Sequence, residues 1–212
     1  MRLNADFTQR ALVRFSENDW IASPMPGVDR KMLDRIGEEV ARATTIVRYA
    51  PGSAFSAHTH DGGEEYLVLD GTFGDEHGAF PTGTYVRNPP TSSHTPSAPE
   101  GATILVKLHQ FDPADRTQVR VDLDPAQDAQ LLHRDDFEEV RVELWAPGTT
   151  VDLDAPGGME IFLIEGGFEE AGETLGSWDW LRLPTGTASS ATAGPEGARV
   201  WIKSGHLAHA PL

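Results

Sequence analysis

Five short landmarks occur twice along this chain, 95 or 96 residues apart. Ala50-Pro51-Gly52 returns as Ala146-Pro147-Gly148, and Gly62-Gly63 as Gly157-Gly158. Tyr66-Leu67-Val68-Leu69-Asp70-Gly71 returns as Ile161-Phe162-Leu163-Ile164-Glu165-Gly166. Pro99-Glu100-Gly101-Ala102 returns as Pro195-Glu196-Gly197-Ala198, and Val106-Lys107 as Ile202-Lys203. A near-constant period across most of a chain means one structural unit built twice. The 212 residues are enough for two small domains. The polar stretch Asp124-Pro125-Ala126-Gln127-Asp128 reads as the linker, which gives domains over 1–122 and 123–212.

Each copy reads as β. Turn formers recur every few residues: Asp75-Glu76-His77-Gly78, Pro81-Thr82-Gly83, Asn88-Pro89-Pro90, Pro99-Glu100-Gly101. Between them lie short β-prone runs such as Thr84–Arg87 and Thr103–Lys107. Asp34–Arg42 could pass for a helix, but Gly37 interrupts it. Ala43–Tyr49 then alternates with β-branched character, so the stretch predicts strands. Ala11–Phe15 is strand-like as well. Many short strands at this spacing specify an all-β sandwich or barrel.

The chemistry gathers between Gly52 and Gly71. His58 and His60 stand two apart, so on a strand both imidazoles point to one side. Asp61-Gly62-Gly63 breaks the strand, and Glu64 opens the apolar run that follows. Two imidazoles and a carboxylate on rigid strands make a site for a divalent transition metal. Zinc would accept such a set tetrahedrally, while iron, manganese or nickel would keep positions open for water, oxygen or substrate.

These residues resemble the first motif of the cupin superfamily, G-x5-H-x-H-x3-E-x6-G, at each fixed position: Gly52, His58, His60, Glu64 and Gly71. The second motif, G-x5-P-x-G-x2-H-x3-N, is kept at Gly83, Pro89 and His94, but Thr91 stands for its glycine and Ala98 for its asparagine. Within the superfamily, residues 45 to 110 look like the ChrR-type cupin, the zinc-binding C-terminal domain of certain anti-sigma factors. The resemblance implies two tandem jelly-roll barrels, a bicupin. It also implies one divalent ion per chain, zinc first, on His58, His60, Glu64 and His94. Glu65, Tyr66, Tyr85 and Arg87 are the candidates for lining the pocket or supporting the ligands. At the repeat period His58 falls on Asp154, His60 on Pro156, Glu64 on Met159 and His94 on Ser189, so the second copy keeps a scaffold and loses the site.

The net charge of −16 repels phosphate backbones and argues against nucleic acid as a partner. Without cysteine there is no disulfide, thiol catalysis or cysteine zinc cluster, so a sigma factor is not held by that route. No signal-type leader or membrane span is visible, and a cytoplasmic protein is expected. A small-molecule ligand and a homodimer are the partners left open. Nucleotide, phosphate-loop and serine-hydrolase motifs are missing. Two functions follow from the resemblance: a regulatory or stress-sensing metal module without the sigma-binding zinc domain, or a metal-dependent enzyme such as a diketone- or flavonol-cleaving dioxygenase.

Overall fold

The computed structural model describes residues 1–209. They form two compact units, and nearly every element is an antiparallel strand. The stretch 31–49 is two strands, Val28–Gly37 and Ala41–Tyr49, as its β-branched alternation predicts.

The first unit holds Met1–Ala5 and Asp19–Leu123. Its main sheet runs in the order Arg2–Leu3, Val28–Gly37, Ala41–Tyr49, Ala102–Leu108, Glu64–Asp75, Thr84–Asn88, Val119–Asp122. The second unit takes Asp6–Asn18 and the residues from Asp124 on. Its sheet runs Ala129–Arg134, Glu139–Trp145, Thr187–Ser204, Met159–Glu170, Trp180–Leu183, Ala11–Val13. The chain passes from the first unit to the second between Leu123 and Asp124, and the segment 6–18, which the 1–122 span includes, lies in the second unit. Ala11, Leu12 and Val13 pair there with Arg182, Leu181 and Trp180.

The two units share local devices. In both, a strand of twelve residues carries a bulge where it pairs with its neighbour, at Leu69 opposite Thr103/Ile104 in one and at Ile164, between Leu163 and Glu165, in the other. Just beyond, Gly71 and Gly166 turn the strand with φ of 74° and 83°. A Cβ at either would stand 2.3 or 2.2 Å from the carbonyl oxygen of Gly101 or Gly197, so glycine is required twice.

Each strand sends alternate side chains to opposite faces. On the inner face of the first unit, Tyr66, Val68, Phe73, Val86, Ile104 and Val106 build an apolar core. On the other face a row of charge crosses three strands. Glu65 is in register with Arg87 and with Lys107, and all three are 1% exposed. The second unit repeats the row with Glu160, Arg182 and Lys203. Arg87 pairs with Asp115 and lies 4.0 Å above the Phe111 ring. Lys107 Nζ donates to Thr44 Oγ1 at 2.8 Å, and Lys203 reaches Glu138 at 2.8 Å. Recurrence in a unit without metal ligands marks this row as structural.

Candidate metal centre

The site forms at one end of the first unit, where a two-rung ladder joins His58–Thr59 to Ser93–His94. In it His58 lies directly opposite His94, and Thr59 opposite Ser93. Beyond the last rung, His60 N–H donates to Ser92 O, and Thr91 N–H returns a bond to His60 O, both at 2.9 Å. Two segments some thirty residues apart in sequence therefore bring three imidazoles together.

The Asp61-Gly62-Gly63 turn then sets Glu64. Its glycines allow close packing: a Cβ on Gly62 would meet His109 Nδ1 at 2.2 Å, and one on Gly63 the Phe111 ring at 2.4 Å. Glu64 starts the long inner strand in register with Asn88. The Asn88 amide donates to Glu64 Oε2 at 3.2 Å, and Gln118 donates in turn to Asn88 Oδ1 at 3.2 Å.

The geometry is that of a cage. One ring nitrogen from each of His58, His60 and His94 lies within 4.8 Å of the other two. Ring centroids are separated by 4.7 to 5.0 Å. Glu64 Oε2 is 3.5 Å from His60 Nε2 and 3.6 Å from His94 Nε2. Ligands about 2.0–2.1 Å from a zinc ion stand about 3.4 Å from each other in a tetrahedron; the three imidazoles are the group that could close on one cation, and Glu64 stands at about that spacing from two of them, His60 and His94.

His60 and His94 are 7% and 3% exposed, and the Nε2 atom of each is buried with no hydrogen-bond partner among the described residues. Buried polar atoms are almost always paired, and two orphans facing one carboxylate form a costly arrangement that a cation would relieve. His58 is exposed, and its Nδ1 donates to Ser56 O at 3.1 Å, which leaves Nε2 for the cage. The residues fit a divalent ion, with nitrogen and oxygen donors and no sulfur.

Electrostatics follows burial. Burial, then the neighbouring His58 and His109, pulls the His60 pKa down to about 4. Burial lowers that of His94 too, against the attraction of Glu64. The Glu64 carboxyl is pushed up by burial, against His94 and the Asn88 amide. At neutral pH these imidazoles are neutral, the state a metal requires.

The supporting candidates divide by strand parity. Tyr66 is on the inner face with Glu64, 1% exposed, its ring edge-on to Phe73 at 5.3 Å. Burial and then the Glu64 charge raise its pKa, so the phenol stays protonated. Glu65, Tyr85 and Arg87 belong to the opposite face, because Tyr85 is in register with Leu67 and Arg87 with Glu65. They do not line this cage, and Glu65 is buried in register with Arg87 and Lys107 on the neighbouring strands.

Three contributors carry no strong sequence signal: Asn88 on Glu64, Asp75 on His94, and Tyr49, whose hydroxyl is raised by burial and by Glu64. Only the register of Asn88 with Glu64 could have revealed the first.

In the second unit three of the four matching positions are apolar, and the fourth is Ser189. Leu153, not Asp154, is opposite Ser189, as His58 is opposite His94. Gly186 N–H bonds Ala155 O at 2.8 Å, as Thr91 N–H bonds His60 O. His58 and His60 therefore correspond to Leu153 and Ala155, one residue earlier than the sequence period places them. Leu153, Ala155 and Met159 are 1%, 0% and 3% exposed, inside the core of that unit, while Asp154 faces solvent.

Residues 8–112 match the model of the ChrR Cupin-like domain. No relative is found among the curated proteins. Among solved structures, the bacterial pirin YhhW from Escherichia coli, in complex with nickel(II), superposes with a TM-score of 0.70 at 14% identity, over 92% of this chain and 98% of that one. A cupin 2 conserved barrel domain protein from Leptotrichia buccalis gives 0.62 at 11% identity, over 91% and 95%. A mutant of oxalate decarboxylase OxdC from Bacillus subtilis gives 0.60 at 12% identity, over 92% and 76%. At these identities the likeness is one of fold. No helix among the described residues is long and apolar enough to cross a membrane.

Proposed function

The chain belongs to the cupin superfamily, with a ChrR-type cupin in its first repeat, and from that premise we propose that it is a bicupin binding one divalent metal ion. The ligands are His58, His60, Glu64 and His94. The observation that carries this reading is the trio of imidazoles within 4.8 Å, in which the Nε2 atoms of His60 and His94 are buried without a hydrogen bond. Zinc is the first choice, since three imidazoles and a carboxylate complete a tetrahedron. The ion would supply a positive charge that fixes a small anionic or carbonyl ligand. The chain's own part is to hold the donors: Asn88 fixes the Glu64 carboxylate through its amide.

We assign it a regulatory or small-molecule-sensing role of the ChrR type. These 212 residues contain no cysteine, so a cysteine-built zinc grip on a sigma factor is not within them. The second reading is a metal-dependent enzyme, such as a dioxygenase that cleaves diketones or flavonols. The exposure of His58 favours it, because the solvent side leaves room for a further ligand on the ion. Metal analysis of untagged protein, purified without added metal, separates the two. Zinc at one per chain and no oxygen uptake with 1,3-diketones supports the sensor. Iron or manganese with uptake supports the enzyme. A protein that takes up none of zinc, iron, manganese or nickel on dialysis refutes both.

A further inference from the structure

We infer that Asp75 is a positioning residue for the metal centre, holding His94 in the ring orientation and tautomer that present Nε2 to the ion. The inference rests on the metal-binding reading and adds to it a residue outside the ligand set. Asp75 ends the long inner strand, and its side chain is 2% exposed. Its Oδ2 lies 3.2 Å from His94 Nδ1. With a carboxylate oxygen as the acceptor, Nδ1 carries the hydrogen and the lone pair is left on Nε2, which faces Glu64 Oε2 at 3.6 Å. The carboxylate is itself fixed, because Oδ1 accepts the His77 N–H at 2.7 Å. The next residue, Glu76, accepts the Thr95 N–H at 2.7 Å and ties this turn to the segment bearing His94.

The second repeat supplies an internal control. Glu170 ends the equivalent strand, and Ser189 stands where His94 does. The contact survives, with Ser189 Oγ donating to Glu170 Oε1 at 2.6 Å. There, however, Arg10 takes the carboxylate, through Nε at 3.0 Å and Nη2 at 2.6 Å. The same backbone position therefore serves an imidazole in one unit and a guanidinium in the other. Among the described residues no arginine or lysine pairs with Asp75.

The test is a competition titration with cobalt(II) and zinc(II) of the wild-type chain, Asp75→Ala, Asp75→Asn and Glu170→Gln, with the cobalt(II) visible spectrum recorded. Asp75→Ala should weaken binding by about 10–100-fold and shift the ligand-field bands. Asp75→Asn, which keeps an acceptor oxygen, should lose less, and Glu170→Gln should match wild type. Wild-type affinity and spectrum in Asp75→Ala would overturn the positioning role and leave the metal reading standing. A wild-type chain that binds neither ion would overturn both. Equal losses in Asp75→Ala and Glu170→Gln would mark a general loosening of the fold and overturn the role. Should Asp75→Ala not fold, Asp75→Leu, which fills the space without an acceptor, takes its place, and wild-type affinity and spectrum in it would overturn the role equally.

Discussion

The two repeats use one backbone for opposite purposes. In the first, three imidazoles gather beside a carboxylate, and two of their buried ring nitrogens, Nε2 of His60 and of His94, make no hydrogen bond. In the second, the matching positions are Leu153, Ala155, Met159 and Ser189, and the first three join the core. Polar groups that bind are left unsatisfied and lower the stability of the unit that carries them, whereas the unit relieved of binding can bury apolar side chains instead. The difference teaches that the strands, bulge and Gly71/Gly166 turns belong to the scaffold, and the histidines to the function.

That contrast can be broken at several points. The largest effect is expected from His60→Ala, which removes a buried ligand. Metal affinity, measured by titration with a chromophoric competitor, should fall by more than about 100-fold, beyond the loss typical of supporting residues. Ser189→Ala should leave it unchanged. Retained affinity in His60→Ala would place the ion elsewhere.

Leu153→Ala should cost about 2–5 kcal/mol in chemical denaturation, as for a buried leucine whose site collapses poorly. Asp154→Ala should cost less than about 0.5 kcal/mol, as at an exposed position. The reverse order would restore the register in which Asp154 replaces His58.

Arg10→Ala should destabilise the second unit by about 2–3 kcal/mol, because it leaves the buried Glu170 charge with only the Ser189 hydroxyl; the value is below that of a fully buried pair since Arg10 is partly exposed. Its metal affinity should stay that of wild type. A loss of affinity in Arg10→Ala would mean that the two carboxylate positions do not act separately.

The pH response should sharpen the comparison further. His60 in the folded first unit holds its proton only below about 4, whereas in the unfolded chain it does so below about 6.5. Between those values the unfolded state binds the extra proton, so metal-free stability falls as pH drops from about 6.5 to 4. His60→Gln should flatten that slope in thermal melts, and an unchanged slope would contradict the assignment. Because His60 and His94 resist protonation, half-release of bound metal should come below the pKa of about 6.5 of a free imidazole.

The smallest effect concerns Thr91. Its φ is 74°, where the second repeat has Gly186 at 77°. A β-branched residue in that region is strained, and Thr91→Gly should raise stability by about 0.5–1 kcal/mol after the entropy of the added glycine is set against the relief.

Much of this was legible. The doubled landmarks marked the two units, and the spacing of His58, His60 and His94 marked the three imidazoles that the structure brings together. Thr91 was visible as a misfit in a glycine position, and the structure keeps the glycine conformation there. What could not be read has physical causes. The period fixes the repeats only at their landmarks; the one-residue deletion falls between Gly148 and Leu153, and moving it by a few residues flips Asp154 and Leu153 between faces. Ala11–Val13 is a three-residue strand, too short for any pattern to say which sheet it joins. Parity puts Glu65 on the face opposite Glu64 but does not say that this face is buried. Asp75 sits in what reads as a polar turn, and its link to His94 across nineteen residues leaves no mark in either segment.

The most direct measurement is anomalous diffraction at the absorption edge of the bound metal, from crystals of the untagged chain. A single peak between the His58, His60 and His94 rings and the Glu64 carboxylate, with none beside Ser189, is the result expected here. A peak in the second repeat, or none among the three rings of a metal-loaded crystal, would contradict it.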